Sequence, residues 1–385
     1  MRSDPRNHLE MADILNTYWD DFVKTHKVSR HHHKVVGAIR NCRTSRMGTH
    51  LEKCSNCNCD YETMAYNSCR DRHCPKCSTS KRLKWVSERI KELLPIPYFH
   101  TTCTMPPILR PLCLFNQKII YDLFFKSTSY ALNAFSKDKK FLGAQLGFVG
   151  ILHTWGKSLW YHPHIHYIVT GGGLSGDKWI NLPYKYEFLF PSEALSRTIR
   201  ARFVELLKNA YAEGKLQFPG ELSKIGSPLS FKRFCNELGN QAWYCHVKKP
   251  FTSPEKVLEY MGRYTHRVAI SNSRLISMNN DRVTFRAKDY KEEGKEKVVT
   301  LSADTFIQRF LWHVLPSGFR KIRHFGFLNT GFRSEKIQII RNHFKSLAAS
   351  IEEQIESWFD RMGTFINHLC PKCHEGRLIF YMNSS

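Results

Sequence analysis

The chain has 385 residues, room for two or three cores, and its 58 lysines and arginines against 34 acidic residues give a formal charge of +24. That charge is spread along the sequence, which makes a phosphate backbone the natural partner and membrane-surface binding the weaker reading. No apolar run reaches the roughly 18 residues that cross a bilayer, and the polar start RSDPRNHLEMAD lacks a signal-peptide core, so no membrane partner and a reducing cytoplasm are expected, with the thirteen cysteines as metal ligands rather than disulfides.

Leu9, Ile14, Leu15, Tyr18 and Phe22 recur at helical spacing, predicting a helix over about 8–25, and HHHKVVGAIRNC predicts a second. His31, His32 and His33 face different ways on such a helix, so a solvated face is expected there rather than a metal site. Next, Cys54 and Cys57 form one C-x-x-C pair and Cys74 and Cys77 another, the spacing by which four thiolates surround one tetrahedral zinc. Cys42, His50, Cys69 and His73 leave a second zinc open. Arg70, Arg72, Lys76, Lys81, Arg82 and Lys84 flank the cluster and suggest a DNA-binding head.

After Pro95 and Pro97, YFHTTCTM alternates as a strand ended by Pro106 and Pro107. Residues of about 110–140 read as helical, with Phe115, Ile119, Ile120, Leu123 and Phe124 buried. GFVGILHTW and HIHYIVTGGG then read as strands of a hairpin turning about Ser158 and Leu159, which brings His153 near His166. Within the second strand His162, His164 and His166 alternate, so their imidazoles share a face that can hold a metal. The glycines after Thr170 offer either room for a DNA backbone or a tight exit from the strand. Between Thr101 and Gly176 the acidic residues are Asp122 and Asp138, which disfavours a carboxylate-based two-metal site and leaves one divalent ion on imidazoles.

Downstream, Thr252 or Ser253, Pro254 and Glu255 open a helix on which Tyr260 and Tyr264, four apart, lie on one face among Arg263, His266 and Arg267. A phenol, with a pKa of about 10, leaves more easily than an alkoxide, so a phosphotyrosine bond retains the energy to reseal a strand without ATP. Such covalent chemistry needs the phosphate charge met by the metal and by a cation such as Arg263. Residues of about 281–301 read as a hairpin around Gly294, and FIQRFLWHVL as an amphipathic helix. GFRKIRHFGF interleaves basic and aromatic residues, either to stack on bases or to lay cations over core aromatics. At the end of the chain Cys370 and Cys373 form a zinc half-site, with His368 and His374 the nearest candidates to complete it.

HPHIHYIVTGGG followed by YMGRYTHRVAISN resembles the HUH-type transposases with two tyrosines, the insertion-sequence-ninety-one family. CRTSRMGTHLEKCSNC, NSCRDRHCPKC and FIQRFLWHVLPSGFRKIRHFGF carry the same resemblance, in the same order. It implies an α+β fold: an antiparallel-sheet, HUH-endonuclease-like domain facing a nucleophile-bearing helix, preceded by a helical and zinc-knuckle domain. The expected divisions are 1–93, 94–275 and a basic C-terminal region 276–385. On that pattern His164 and His166 hold Mg2+ or Mn2+, with the third ligand open among His153, brought near by the hairpin, His162 and His100, and Zn2+ sits on Cys54, Cys57, Cys74 and Cys77. Tyr260 and Tyr264 would cut single-stranded DNA at the element ends and target, leaving 5′-phosphotyrosine, in rolling-circle-like transposition in a bacterial cytoplasm. The rivals are a replication initiator or relaxase with the same chemistry and a non-catalytic zinc-dependent nucleic-acid-binding protein; a homo-oligomer is left open.

Overall fold

The computed structural model describes residues 9–77, 85, 88–89, 92–156, 158–182, 189–251, 256–257, 260, 262, 268–288, 295–329, 331–345 and 369–383. Helix α1 (Met11–Thr25) opens on a reciprocal Glu10–Asp13 capping box, and α2 (Arg30–Asn41) on Ser29, whose hydroxyl accepts the His32 N–H. Ile14, Leu15 and Phe22 of α1 meet Val35, Val36 and Ile39 of α2 in one apolar cluster. His31 bonds the Leu315 carbonyl and so is not simply solvated, whereas His33, edge-on to Trp19, stays exposed as expected. Strands β1 (Thr49–Cys54) and β2 (Glu62–Tyr66) then form an antiparallel hairpin.

The central sheet is built from β3 (Tyr98–Thr104), β4 (Gln145–Trp155), β5 (Tyr161–Ser175), β6 (Lys178–Asn181), β7 (Tyr244–Val247) and β11 (Ile322–Gly326). Its order is β11-β4-β5-β3-β7, with β6 on β5, and every pairing is antiparallel. Helices α3 (Arg110–Phe115) and α4 (Gln117–Lys137), between β3 and β4, and α5 (Ser192–Ala212) and α6 (Pro228–Asn240), before β7, cover one face. Phe99, Phe148, Ile165, Tyr167 and Val169 of the sheet pack there against Tyr121, Phe124, Phe203 and Phe231. Each such side chain contributes on the order of 2 kcal/mol by leaving water. Phe115, expected in this core, is 57% exposed, because Asn116 breaks the helix there and the two segments do not share one periodic face.

The remaining elements are β8 (Leu275–Asn279), β9 (Arg282–Lys288) and β10 (Glu296–Ser302), a second antiparallel sheet, then α7 (Ala303–Trp312), α8 (Arg333–His343) and β12 (Leu378–Asn383). Phe285, Phe306 and Phe310 join the α1–α2 cluster, and β12 pairs with β1. The N-terminal helices thus share a core with residues 269–314.

Two further expectations resolve through packing. In GFRKIRHFGF, Phe319 is buried and Phe325 stacks on Phe148 at 5.0 Å, while Arg323 lies 4.2 Å from the Phe125 ring centroid and pairs with Asp122. The aromatics thus serve the core, with this cation laid over them. At Gly172 a Cβ would meet the Trp179 ring and, at 2.7 Å, the Ile180 carbonyl, so the close approach of β6 requires glycine there, and β5 runs on to Ser175.

Candidate metal centre and nucleophile

Strands β4 and β5 are joined by a tight turn in which the Gly156 N–H donates to the Trp160 carbonyl at 2.8 Å and Leu159 takes φ +58°. The register sets His153 opposite His164, Thr104 on the other side of His164, and Thr102 opposite His166. Strand alternation then places His100, Thr102, His153, His164 and His166 together, on the face turned away from α3–α6. A ligand nitrogen from each of His153, His164 and His166 lies within 4.8 Å of the others. The cross-strand partner of His153 is His164 rather than His166, whose ring centroid is nonetheless 4.9 Å away. Among the described residues no carboxylate joins this group, and Asp122 is engaged with Arg323.

Burial keeps the His164 and His166 imidazoles neutral, the form that binds a cation. It pushes His164 down to about 4, and drives His166 well below the usual imidazole value with help from neighbouring His153 and His164. His164 donates Nδ1–H to the His162 carbonyl at 2.6 Å, which leaves its lone pair on Nε2. Three imidazoles, one with its tautomer fixed, suit a single divalent ion. His162 stands beside them, its Nδ1 3.3 Å from the Arg110 guanidinium.

The described residues Lys256, Val257, Tyr260 and Gly262 are helical. Tyr260 Oη is hydrogen-bonded to His100 Nε2 and lies 3.0 Å from His166 Nδ1. One placement of protons satisfies both contacts: His166 donates Nδ1–H to Oη, and the phenol donates to His100 Nε2. Thr102 Oγ1, 3.0 Å from His100 Nε2, completes this polar cluster. Burial lowers His100 to about 3, so it too is neutral. Tyr264 and Arg263 lie outside the described residues.

The cysteines are grouped differently from the C-x-x-C expectation. Cys54, Cys57, Cys74 and Cys77 do not converge: Cys74 and Cys77 meet Cys42 and Cys69, Cys54 meets Cys59, Cys370 and Cys373, and Cys57 is exposed outside both sets. His50 and His73 stay out as well, bonded to Asn67 and Asp71. In the first set the sulfurs of Cys42 and Cys69 lie 3.5 and 3.6 Å from that of Cys77. Of the flanking cations, Lys76 pairs with Glu10 and Arg72 bonds the Phe319 carbonyl, while Lys81, Arg82 and Lys84 lie outside the described residues. Sequence reading offered His100 as a candidate third metal ligand, whereas its described contact is with Tyr260, and it gave Thr102 no role; the signal available for Thr102 was its alternation with His100 in β3, opposite the histidine strand.

A family model described as "Putative transposase" matches residues 147–336, and one described as "Transposase zinc-binding domain" matches residues 14–105. "Putative transposase y4qJ" of Sinorhizobium fredii is 41% identical over 382 residues, covering 97% of this chain and 95% of that one. "Transposase for insertion sequence element IS801" of Pseudomonas savastanoi pv. phaseolicola is 31% identical over 301 residues, 77% of this chain and 70% of its own. No solved structure matches. No described helix is long and apolar enough to cross a membrane.

Proposed function

This chain belongs to the IS91 family of transposases, with a zinc-binding N-terminal domain, and on that premise we propose that it cuts and rejoins single-stranded DNA through tyrosine. The observation that supports this most is the contact of Tyr260 Oη with His100 and His166, beside the three-histidine group. An antiparallel sheet presenting H-x-H toward a tyrosine-bearing helix is also what the HUH-endonuclease reading requires.

His153, His164 and His166 would hold one Mg2+ or Mn2+, which supplies charge to polarise the scissile phosphate. Tyr260 Oη attacks phosphorus and the phenolic proton moves to His100 Nε2. The bond from phosphorus to the 3′-oxygen breaks, that oxygen leaves as a hydroxyl after taking a proton from water, and the 5′-phosphate stays on tyrosine. Rejoining is the reverse: a 3′-hydroxyl attacks the phosphotyrosine and the phenol recovers its proton. Burial that keeps His100 neutral leaves its lone pair aimed at Oη, and the incoming phosphate charge makes the transient imidazolium less costly. Tyr264, four residues on in the sequence, would serve a second strand, and Arg263 would offset phosphate charge.

The test is incubation with Mn2+ and single-stranded oligonucleotides from the element ends. Wild type should form a denaturant-resistant adduct that Tyr260→Phe with Tyr264→Phe abolishes. No adduct from wild type, or an undiminished one from the double variant, rejects the mechanism.

A further inference from the structure

The second cysteine set joins residues more than 300 positions apart, and half of it lies outside the segment that matches the zinc-binding domain. Cys54 ends β1 and Cys59 follows in the loop to β2, whereas Cys370 and Cys373 stand in a turn just before β12. The Cys54 and Cys373 sulfurs are 3.7 Å apart, as are those of Cys59 and Cys370, and all four lie within 4.8 Å of one another. A disulfide would need about 2.05 Å. Zinc in a tetrahedron of thiolates, with bonds of about 2.3 Å, sets its sulfurs about 3.8 Å apart.

The backbone on both sides is shaped for thiolates. Asn56 N–H points at Cys54 Sγ at 3.4 Å, Lys372 N–H at Cys370 Sγ at 3.4 Å, and Gly376 N–H at Cys373 Sγ at 3.3 Å. Such N–H donors stabilise negative sulfur, as in zinc knuckles. A side chain at Gly376 would collide with Cys54 Sγ, so that position is left bare for the sulfur. Around the set, Lys372 pairs with Asp60, Ser55 N–H donates to the Arg377 carbonyl at 2.8 Å, and β1 pairs with β12 through Cys54 and Leu378. Two turns distant in the chain are thus registered against each other by hydrogen bonds that leave four sulfurs converging.

We propose that Cys54, Cys59, Cys370 and Cys373 bind a second structural zinc, separate from one on Cys42, Cys69, Cys74 and Cys77, and that this ion clasps the C-terminal strand onto the edge of the N-terminal hairpin. Cys57, in spite of its C-x-x-C spacing from Cys54, takes no part. Zinc content of the full-length chain should be two per molecule, falling to one in Cys370→Ser with Cys373→Ser and staying at two in Cys57→Ser. In unmutated protein, native alkylation followed by mass spectrometry should label Cys57 while sparing Cys54, Cys59, Cys370 and Cys373. Those four should become reactive together when a chelator removes one zinc. One zinc in wild type, two in the double serine variant, iron in place of zinc, or alkylation of Cys370 and Cys373 with the metal in place each overturns the clasp. The alkylation arm keeps the test decisive if the variant does not fold.

Discussion

His313 gives a prediction that can be worked quantitatively. It is buried beneath the hairpin that carries His153, His164 and His166, bonding the Leu159 carbonyl through Nε2 and Thr154 Oγ1 through Nδ1, both at 3.2 Å. Both contacts suit a neutral ring, and burial lowers its pKa to about 4 despite the opposing Leu159 bond. In the unfolded chain the same ring titrates near the ordinary value of about 6.5. Between those values the unfolded state holds the extra proton, so stability falls as pH falls through that window and is indifferent to pH above it. At about 1.4 kcal/mol per pH unit, His313 alone costs about 2 kcal/mol on going from pH 7.5 to pH 5. Gln can keep the bond to Leu159 but cannot titrate. The measurement is urea denaturation of wild type and His313→Gln at pH 7.5 and pH 5. The variant should start less stable through lost packing, yet lose about 2 kcal/mol less than wild type on acidification. Equal acid losses in the two proteins would mean that His313 has an ordinary pKa in the fold, and the argument from burial would fail.

Replacing His100 by Gln should slow adduct formation by about 10²–10⁴-fold without changing Mn2+ affinity, measured by calorimetry, because the proton acceptor is lost while the ligands stay; a parallel loss of metal would make it a ligand instead. Substituting His164→Ala should abolish the adduct and weaken Mn2+ binding while much single-strand affinity survives in gel shifts; full cleavage by this variant would remove His164 from the site. Gly172→Ala should lower the unfolding midpoint, at a cost of about 1–3 kcal/mol, because Trp179 and the Ile180 carbonyl must move to admit a methyl. An unchanged midpoint would show that β6 can shift freely.

What could be read from the sequence depended on whether a pattern was local. Alternation in HPHIHYIVTGGG and in GFVGILHTW fixes which side chains share a face, and a turn about Ser158 and Leu159 then sets His153 opposite His164 and beside His166. Apolar residues at helical spacing likewise locate α1, with Ile14, Leu15 and Phe22 buried. His100 could be offered from the sequence as a third ligand but not placed against Tyr260, because that contact depends on β3 lying next to β5, a neighbour relation that no spacing encodes; once β3 pairs with β5, Thr102 sits opposite His166 and His100 two residues farther along the same face.

The cysteines show the same limit more sharply. A C-x-x-C spacing says that two sulfurs can reach one ion, and Cys74 and Cys77 do share a set. It does not say which other two complete it, since any pair of thiolates offers zinc the same chemistry. The choice is made by backbone pairing: β12 aligned on β1 brings Cys370 and Cys373 to Cys54, and the loop after β1 turns Cys59 inward and Cys57 out. Ligand identity is therefore written in residue type, whereas ligand grouping is written in strand order. A chain whose first and last strands are neighbours will mislead any reading that pairs its cysteines by proximity in sequence.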